Sequence, residues 1–244
     1  MTTARTVLIT GGAGGIGQGL AQAFIDAGDR VVLADRDATA VQAAALRLGA
    51  TAAELDITEP TAIAALFADL EASGGVDVLV NNAGILSVHG SVTELTPEAY
   101  RGILEVNVIG TFAMTQAFAR HRISAGGGAV VNISSIGGRQ PTPGMGAYES
   151  SKAAVDSVTR WAAIELASHG IRVNAVAPGP VLTEMLAAGM PEGSPARTAW
   201  ASRIPLGDLA HISDIAAAAV FLAGPGAAHI TGVSLPVDGG QLLT

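Results

Sequence analysis

Short, unbroken apolar runs alternate with longer segments of helical period along the whole chain. Strands are expected over residues 6–10, 30–35, 51–55, 76–81, 129–134, 171–177 and 233–237, and helices over 16–27, 38–48, 59–72, 97–124, 147–169 and 213–222. Thr96-Pro97-Glu98 carries the signature of a helix start, a hydroxyl cap followed by proline at the first helical position. The strands are continuously apolar rather than alternating, which requires burial on both faces, as in a parallel sheet. Regular β-α alternation then predicts one α/β domain: a doubly wound parallel sheet of the Rossmann type, about seven strands with helices on both faces. Right-handed crossovers bring the carboxyl ends of the strands to one edge, where ligands bind. The longest stretch without a clear period, 179–206, is rich in Gly, Pro and Met and is expected to be a substrate lid.

Composition narrows this picture. The 244 residues suit one domain spanning 1–244. Hydrophobic residues make up 49% and aromatics only 4%, so Ala, Val, Leu and Ile must build the core. A net charge of −8 with no basic run argues against nucleic acid as partner. Without cysteine there are no disulfides, Cys–zinc sites or thiol catalysis, which suits a reducing cytoplasm. The first residues run at once into Val7-Leu8-Ile9, leaving no room for a signal peptide. The uncharged stretch 215–237 is broken by Gly224-Pro225-Gly226, so it reads as helix, turn and strand rather than a membrane span. His89, His121, His169, His211 and His229 show no paired ligand spacing, and no metal is expected.

Between the first strand and first helix lies Thr10-Gly11-Gly12-Ala13-Gly14-Gly15-Ile16-Gly17. Gly11 permits a tight turn, Gly15 lets backbone N–H groups approach a pyrophosphate, and Gly17 allows the helix to pack closely. Asp35 ends the second strand, where a carboxylate accepts hydrogen bonds from both ribose hydroxyls of NAD and repels the 2′-phosphate of NADP. No basic residue lies between Gly11 and Gly17. Arg36 could pair with a phosphate, but the balance favours NAD.

The glycine spacing T-G-x-x-x-G-x-G, with Gly11, Gly15 and Gly17, resembles the short-chain dehydrogenase/reductase family, and the resemblance covers essentially the whole chain. Asp56-Ile57 is similar to the family's adenine-cradling pair. Asn81-Asn82-Ala83-Gly84 is similar to the motif that supports the sheet and lines the adenine ribose. Pro178-Gly179 with Val181 and Thr183 is similar to the segment that holds the nicotinamide carboxamide. The resemblance thus implies cofactor contacts from Gly11, Gly14, Gly15, Ile16, Gly17, Asp35, Asp56, Ile57, Asn82, Ala83, Gly84, Tyr148, Lys152, Pro178, Gly179, Val181 and Thr183. Ile230-Thr231-Gly232 and Val237-Asp238-Gly239-Gly240 resemble its closing strand. Asn107, in Val106-Asn107-Val108, resembles the family's helical asparagine, whose side chain, with a main-chain carbonyl, helps hold a water on the catalytic lysine. A buried asparagine that only satisfies backbone groups is the alternative.

Tyr148-Glu149-Ser150-Ser151-Lys152 places Tyr148 and Lys152 on one helix face. A positive charge ~4 Å from a phenol is worth about 4 kcal/mol at an effective dielectric of ~20, so Lys152 is expected to draw Tyr148 towards neutrality, where general acid–base catalysis works best. Ser135, at a strand's carboxyl end, can donate to the substrate oxygen, whereas Ser134 faces the other way. Catalytic roles are therefore expected for Asn107, Ser135, Tyr148 and Lys152. Glu149 replaces the small residue more usual after the tyrosine, and at a helix's first turns it is expected to be solvated.

An apolar cleft is expected from Leu182, Met185, Leu186, Met190 and Trp200 of the lid with Ile85, Leu86, Ile136 and Met145. It suits a secondary alcohol or ketone. Glu184 and Arg197 offer an ionic handle, and His89 and Gln140 could reach a hydroxyl of a diol, polyol or sugar. A small alcohol or ketone substrate follows, with NAD as cofactor. The alternatives are a 3-oxoacyl thioester reductase using NADPH, or a dinucleotide-binding regulator without turnover. Ala-rich helices around 112–120 and 153–167 suit close helix packing, and the family resemblance implies a homotetramer.

Overall fold

The computed structural model describes residues 4–244, with the side chains of Glu184 and Met185 outside the described set. In chain order the strands are β1 (Thr6–Thr10), β2 (Arg30–Asp35), β3 (Thr51–Glu54), β4 (Val78–Asn81), β5 (Gly128–Ile133), β6 (Ile171–Pro178), β7 (Val181–Leu182), β8 (Ala210–His211) and β9 (Ser234–Val237). Seven form one sheet in the order β3-β2-β1-β4-β5-β6-β9, and every pairing is parallel. The strand order reverses between β1 and β4, so the loops that follow them diverge and open a crevice at the carboxyl edge.

Each strand feeds two cores because successive side chains point to opposite faces. Val7, Ile9, Val31, Leu33, Val80 and Val131 pack against α1 (Gly15–Asp26), α2 (Ala38–Leu48) and α9 (Ile212–Ala223), which bring in Leu20, Phe24, Val41, Ile215 and Leu222. Leu8, Val32, Leu79, Val130 and Val173 pack on the other side against α3 (Pro60–Ala72), α5 (Thr111–Ala125) and α6 (Gly146–Leu166), through Ile63, Phe67, Met114, Phe118 and Ala163. Local chemistry sets the helix ends. Asp37 accepts from Ala40 N (2.9 Å) at the start of α2, and Gly49 takes the left-handed conformation at its end (φ +70°).

Two expectations need correction. The single helix over 97–124 is interrupted: α4 (Pro97–Leu104) runs into a π-helical turn, Glu105–Gly110, before α5 begins. The Thr111 hydroxyl donates to Asn107 O (2.9 Å) and the Thr115 hydroxyl to Thr111 O (2.8 Å), satisfying carbonyls around the irregular turn. A Cβ on Gly110 would lie 2.7 Å from Ile57 Cδ1, so this turn presses against the β3–α3 loop. Periodicity cannot register one extra residue per turn, and such bulges recur at functional sites. The segment 179–206 is also not structureless. It carries β7, paired with β8, and two short helices, α7 (Glu184–Gly189) and α8 (Pro195–Ala201). Thr183 caps α7 through Leu186 N (3.3 Å) and Ser194 caps α8 through Arg197 N (3.3 Å). Each is too short to show a helical period. The stretch 215–237 resolves into α9, a 3-10 turn and β9, and no helix among the described residues is long and apolar enough to cross a membrane.

Candidate active site

The crevice begins at the glycine loop. Gly11 has φ +64°, and a Cβ there would come 2.8 Å from Ala83 Cα, so glycine is required both for the turn and for the approach of the β4 loop. A Cβ on Gly17 would overlap the Gly11 carbonyl oxygen, which explains how closely α1 meets the loop. Gly14 and Gly15 are exposed at the start of α1, which has no side-chain cap, so its first N–H groups face outward where an anion can take them. Asn82 holds the loop from below: its Nδ2 donates to Thr10 O and Gly11 O (3.0 Å each), while Thr10 Oγ1 accepts from Asn82 N and Ala83 N (3.1 Å each).

Beside this loop lies a cavity of about 190 Å³ lined by Gly11, Asp35, Asp56, Ile57, Ala83 and Gly84, together with Arg36, Leu55 and Val106. The Asp35 carboxylate accepts from Ala13 N (3.1 Å) and Asp37 N (3.2 Å), which fixes it at the rim facing the glycine loop. Asp56 accepts from Thr58 N (2.9 Å) and Thr58 Oγ1 (2.7 Å), and these bonds hold its pKa below the usual aspartate value. The shape, the exposed amides and the carboxylate together fit a dinucleotide.

A second cavity, of about 290 Å³, continues from the first and is lined by Ile16, Asn82, Gly84, Ser135, Tyr148, Lys152, Pro178, Gly179, Val181 and Thr183 among others. The structure thus brings Tyr148, Lys152 and Ser135 onto the same walls as the expected nicotinamide segment. Lys152 is buried, and its Nζ donates to Ile133 O (2.7 Å) at the end of β5 while standing 5.5 Å from the centre of the Tyr148 ring. Ser134 is buried and donates to Lys152 O (3.2 Å). Both serines line this cavity, but only Ser135 also lines the pocket beyond it, and its hydroxyl accepts from Gly137 N (3.1 Å).

Asn107 does not line the cavity. Its Oδ1 accepts from Ile85 N (2.8 Å), and its Nδ2 donates to Ile85 O and Ser151 Oγ (3.0 Å each). The side-chain amide is therefore engaged with the Ile85 backbone and the Ser151 hydroxyl. It lies under Gly84: a Cβ there would be 3.3 Å from Asn107 Oδ1 and 3.4 Å from Lys152 Nζ.

The electrostatics depart from the expected picture. Burial pulls Lys152 down from 10.5 to about 8, partly opposed by the Asp156 carboxylate. Burial also raises the Tyr148 phenol, with the Ser135 hydroxyl pulling it down and the Glu149 charge pushing it further up. Desolvation is thus the largest influence on the phenol, while the Lys152 head is turned to the Ile133 carbonyl.

Glu149 requires a further correction. It is not solvated: only 6% of it is exposed, and its Oε2 accepts from Thr142 N (2.9 Å). It lines a third cavity, of about 200 Å³, that opens from Ser135 and Tyr148. Leu86, Ile136, Met145, Trp200 and Gln140 line this cavity as expected, joined by Thr142 and Gln241, which sequence reasoning missed. Leu182, Leu186 and Met190 are not on its walls, and Ile85 lies in the neighbouring cavity instead. Met185 and Glu184, expected in the lid, have side chains outside the described residues. Arg197 pairs with Asp208 (3.4 Å), and His89 is exposed away from these cavities. Also missed was a buried chain from Asn81 Nδ2 to Asn132 Oδ1 (2.8 Å) and from Asn132 Nδ2 to Thr159 Oγ1 (2.8 Å), which ties β4 and β5 to α6. Polar residues inside apolar strands were its only signal. Among the described residues no group of three His, Cys, Asp or Glu could hold a metal.

A switch-point crevice that passes from an anion cradle to a Tyr–Lys pair with a buried lysine is the architecture of an oxidoreductase of the Rossmann type. The family model described as enoyl-(acyl carrier protein) reductase matches residues 11–241. The chain is 41% identical to a galactitol 2-dehydrogenase (L-tagatose-forming) of Cereibacter sphaeroides, over 95% of this chain and 92% of that protein. It is 38% identical to a sorbitol dehydrogenase of the same organism, over 98% of each. A crystal structure of 3-ketoacyl-(acyl-carrier-protein) reductase from Brucella melitensis complexed with NADH superposes with a TM-score of 0.89 at 37% identity, covering 97% of this chain and 98% of that one. This protein belongs to the short-chain dehydrogenase/reductase family.

Proposed function

We propose that this protein is an NAD-preferring dehydrogenase that moves a hydride between a secondary alcohol, diol or polyol, or the corresponding ketone, and nicotinamide, with Tyr148 as general acid and base. The observation that carries this is the wall formed by Ser135 and Tyr148, shared by the expected nicotinamide cavity, which Lys152 also lines, and the pocket beyond it. When bound, the cofactor accepts or gives the hydride, and its oxidised ring adds positive charge beside the phenol. Ser135 donates to the substrate oxygen and stabilises charge there. Tyr148 takes the hydroxyl proton as the carbinol is oxidised and returns it to the oxygen in reduction. Lys152 binds the nicotinamide ribose and supports the phenolate. Asn107 acts as a positioning residue, fixing Ile85 and Ser151 beneath Lys152.

Asp35 at the rim supports NAD over NADP, since its carboxylate would face a 2′-phosphate. The similarity to the polyol dehydrogenases supports the alcohol class. The similarity to a ketoacyl reductase supports a second reading, a 3-oxoacyl thioester reductase. Against it, neither Lys nor Arg lines the pocket beyond Tyr148, where an acyl carrier's phosphate would need a cation. We further propose that 1–244 act as one domain with 179–206 as lid, working in the cytoplasm as a homotetramer. Exposed Ile109, Ile123, Trp161 and Ile164, with Phe112 stacked on Trp161, support the α5–α6 face as its interface.

The test is reduced-cofactor absorbance over a panel of alcohols and polyols with NAD and NADP, comparing wild type with Tyr148→Phe. Turnover on one alcohol class that drops by ~10²–10⁴ in the variant supports the reading. Dinucleotide binding without turnover on any alcohol or carbonyl would instead favour a regulator of the same fold.

A further inference from the structure

Gln241, with a buried acceptor that has no donor, and Glu149, a carboxylate with one oxygen engaged, both line the pocket beyond Tyr148. Gln241, 5% exposed, has an Oε1 with no hydrogen-bond partner among the described residues. Glu149, 6% exposed, spends Oε2 on Thr142 N (2.9 Å), forms no ion pair among the described residues, and is left with Oε1. Both line the same pocket as Ser135, Tyr148 and Gln140. A Cβ built on Gly137 would come 3.4 Å from Ser135 Oγ and 3.5 Å from Glu149 Oε1, so these two oxygens flank one point of the pocket wall. A buried acceptor without a donor is costly, and its retention calls for an explanation.

We propose that Glu149 and Gln241 form a second-hydroxyl subsite that makes this enzyme selective for a carbinol bearing a neighbouring hydroxyl, that is, a vicinal diol or polyol. This rests on the alcohol-dehydrogenase reading of the same site. In a monohydric alcohol the only hydroxyl is taken by Tyr148 and Ser135, and nothing remains to donate to Glu149 or Gln241. A second hydroxyl on the adjacent carbon supplies that proton. The rest of the pocket, with Leu86, Ile136, Met145 and Trp200, accommodates the carbon chain. A cationic handle is a poorer match, because the carboxylate is already steadied by the Thr142 amide and the first turn of α6.

Sites built to hydrogen-bond a substrate hydroxyl discriminate strongly against analogues that lack it. The experiment compares kcat/KM for butane-2,3-diol, butan-2-ol and 3-aminobutan-2-ol with NAD, in wild type, Gln241→Leu and Glu149→Met. Dinucleotide affinity and Tm confirm that each variant is folded. Wild type is expected to favour the diol over the mono-alcohol by at least ~10-fold, and each variant to cut that ratio by ~10-fold or more. Because Gln241→Leu lies near the end of the chain, it carries the test if Glu149→Met does not fold. A wild-type ratio near one, or a preference for the amino alcohol, overturns the subsite while leaving the dehydrogenase reading intact. A diol preference unchanged in folded Gln241→Leu also overturns it. No turnover of any alcohol or ketone would remove the dehydrogenase reading, and the subsite with it.

Discussion

Lys152 is a cation held where water cannot reach it, and this should be visible in stability before any catalysis is measured. Burial lowers its pKa from 10.5 to about 8. The folded state therefore binds the proton less readily than the unfolded chain. Between those two values the unfolded state carries more protons, so stability rises with pH across that window and the penalty is complete below about 8. Linkage with those two pKa values gives a gain of about 2 kcal/mol on going from about pH 7.5 to about pH 9.5, out of a full span of about 3 kcal/mol. Lys152→Met removes the titrating group while keeping an unbranched side chain in the same space. Urea unfolding of both proteins at the two pH values, at one fixed protein concentration, yields a double difference in which other titrating groups cancel. Wild type should gain about 2 kcal/mol on the variant as pH rises. A difference that stays level within about 0.5 kcal/mol would refute a desolvated ammonium at this position.

Three further outcomes follow from the same geometry. Because burial raises the Tyr148 phenol, the phenolate is scarce at neutral pH, so alcohol oxidation should climb steadily with pH. Ketone reduction, which uses the protonated phenol, should hold until pH passes through that raised pKa; parallel profiles in the two directions would contradict this assignment. Asp35→Asn removes the charge at the ribose rim but keeps an oxygen for Ala13 N, and should lower the NAD-to-NADP ratio of kcat/KM by ~10-fold or more, read from initial rates with each cofactor. Ile164 is 80% exposed on α6, so Ile164→Arg should leave the Tm of the subunit fold nearly unchanged yet split the proposed tetramer, as measured by light scattering on a sizing column.

The arrangement also shows why the site can hold such a lysine. Nζ is tied to Ile133 O at the end of β5, and the main chain of Lys152 is tied to Ser134. These bonds connect α6 to β5, the strand that Ser135 follows. The Asn81–Asn132–Thr159 chain braces the same junction from inside the sheet. Helix α6 and the end of β5 thus set the spacing of Tyr148 and Lys152 relative to Ser135, which lies two residues past the strand.

Periodicity alone sufficed for the sheet and its two helical layers, because a doubly buried strand must be apolar throughout and a covering helix must be apolar on one face. Gly11, Gly17 and Asp35 were legible for the same kind of reason. Each answers a backbone or charge constraint that acts within a few residues, and Tyr148 and Lys152 share a face by helical spacing alone. What depended on contacts between distant segments was not legible. The π-helical turn that points Asn107 at Ile85 is held by side-chain bonds and by the press of Ile57 on Gly110, and no residue period reports it. Glu149 looked like a solvated acid at a helix start until Thr142 folded over it, and Gln241 lay near the end of the chain until the C-terminal turn brought it to the pocket wall. The direction of the Tyr148 shift likewise turned on burial, which is a property of everything packed around the ring, whereas the sequence displays only the charge one helical turn away.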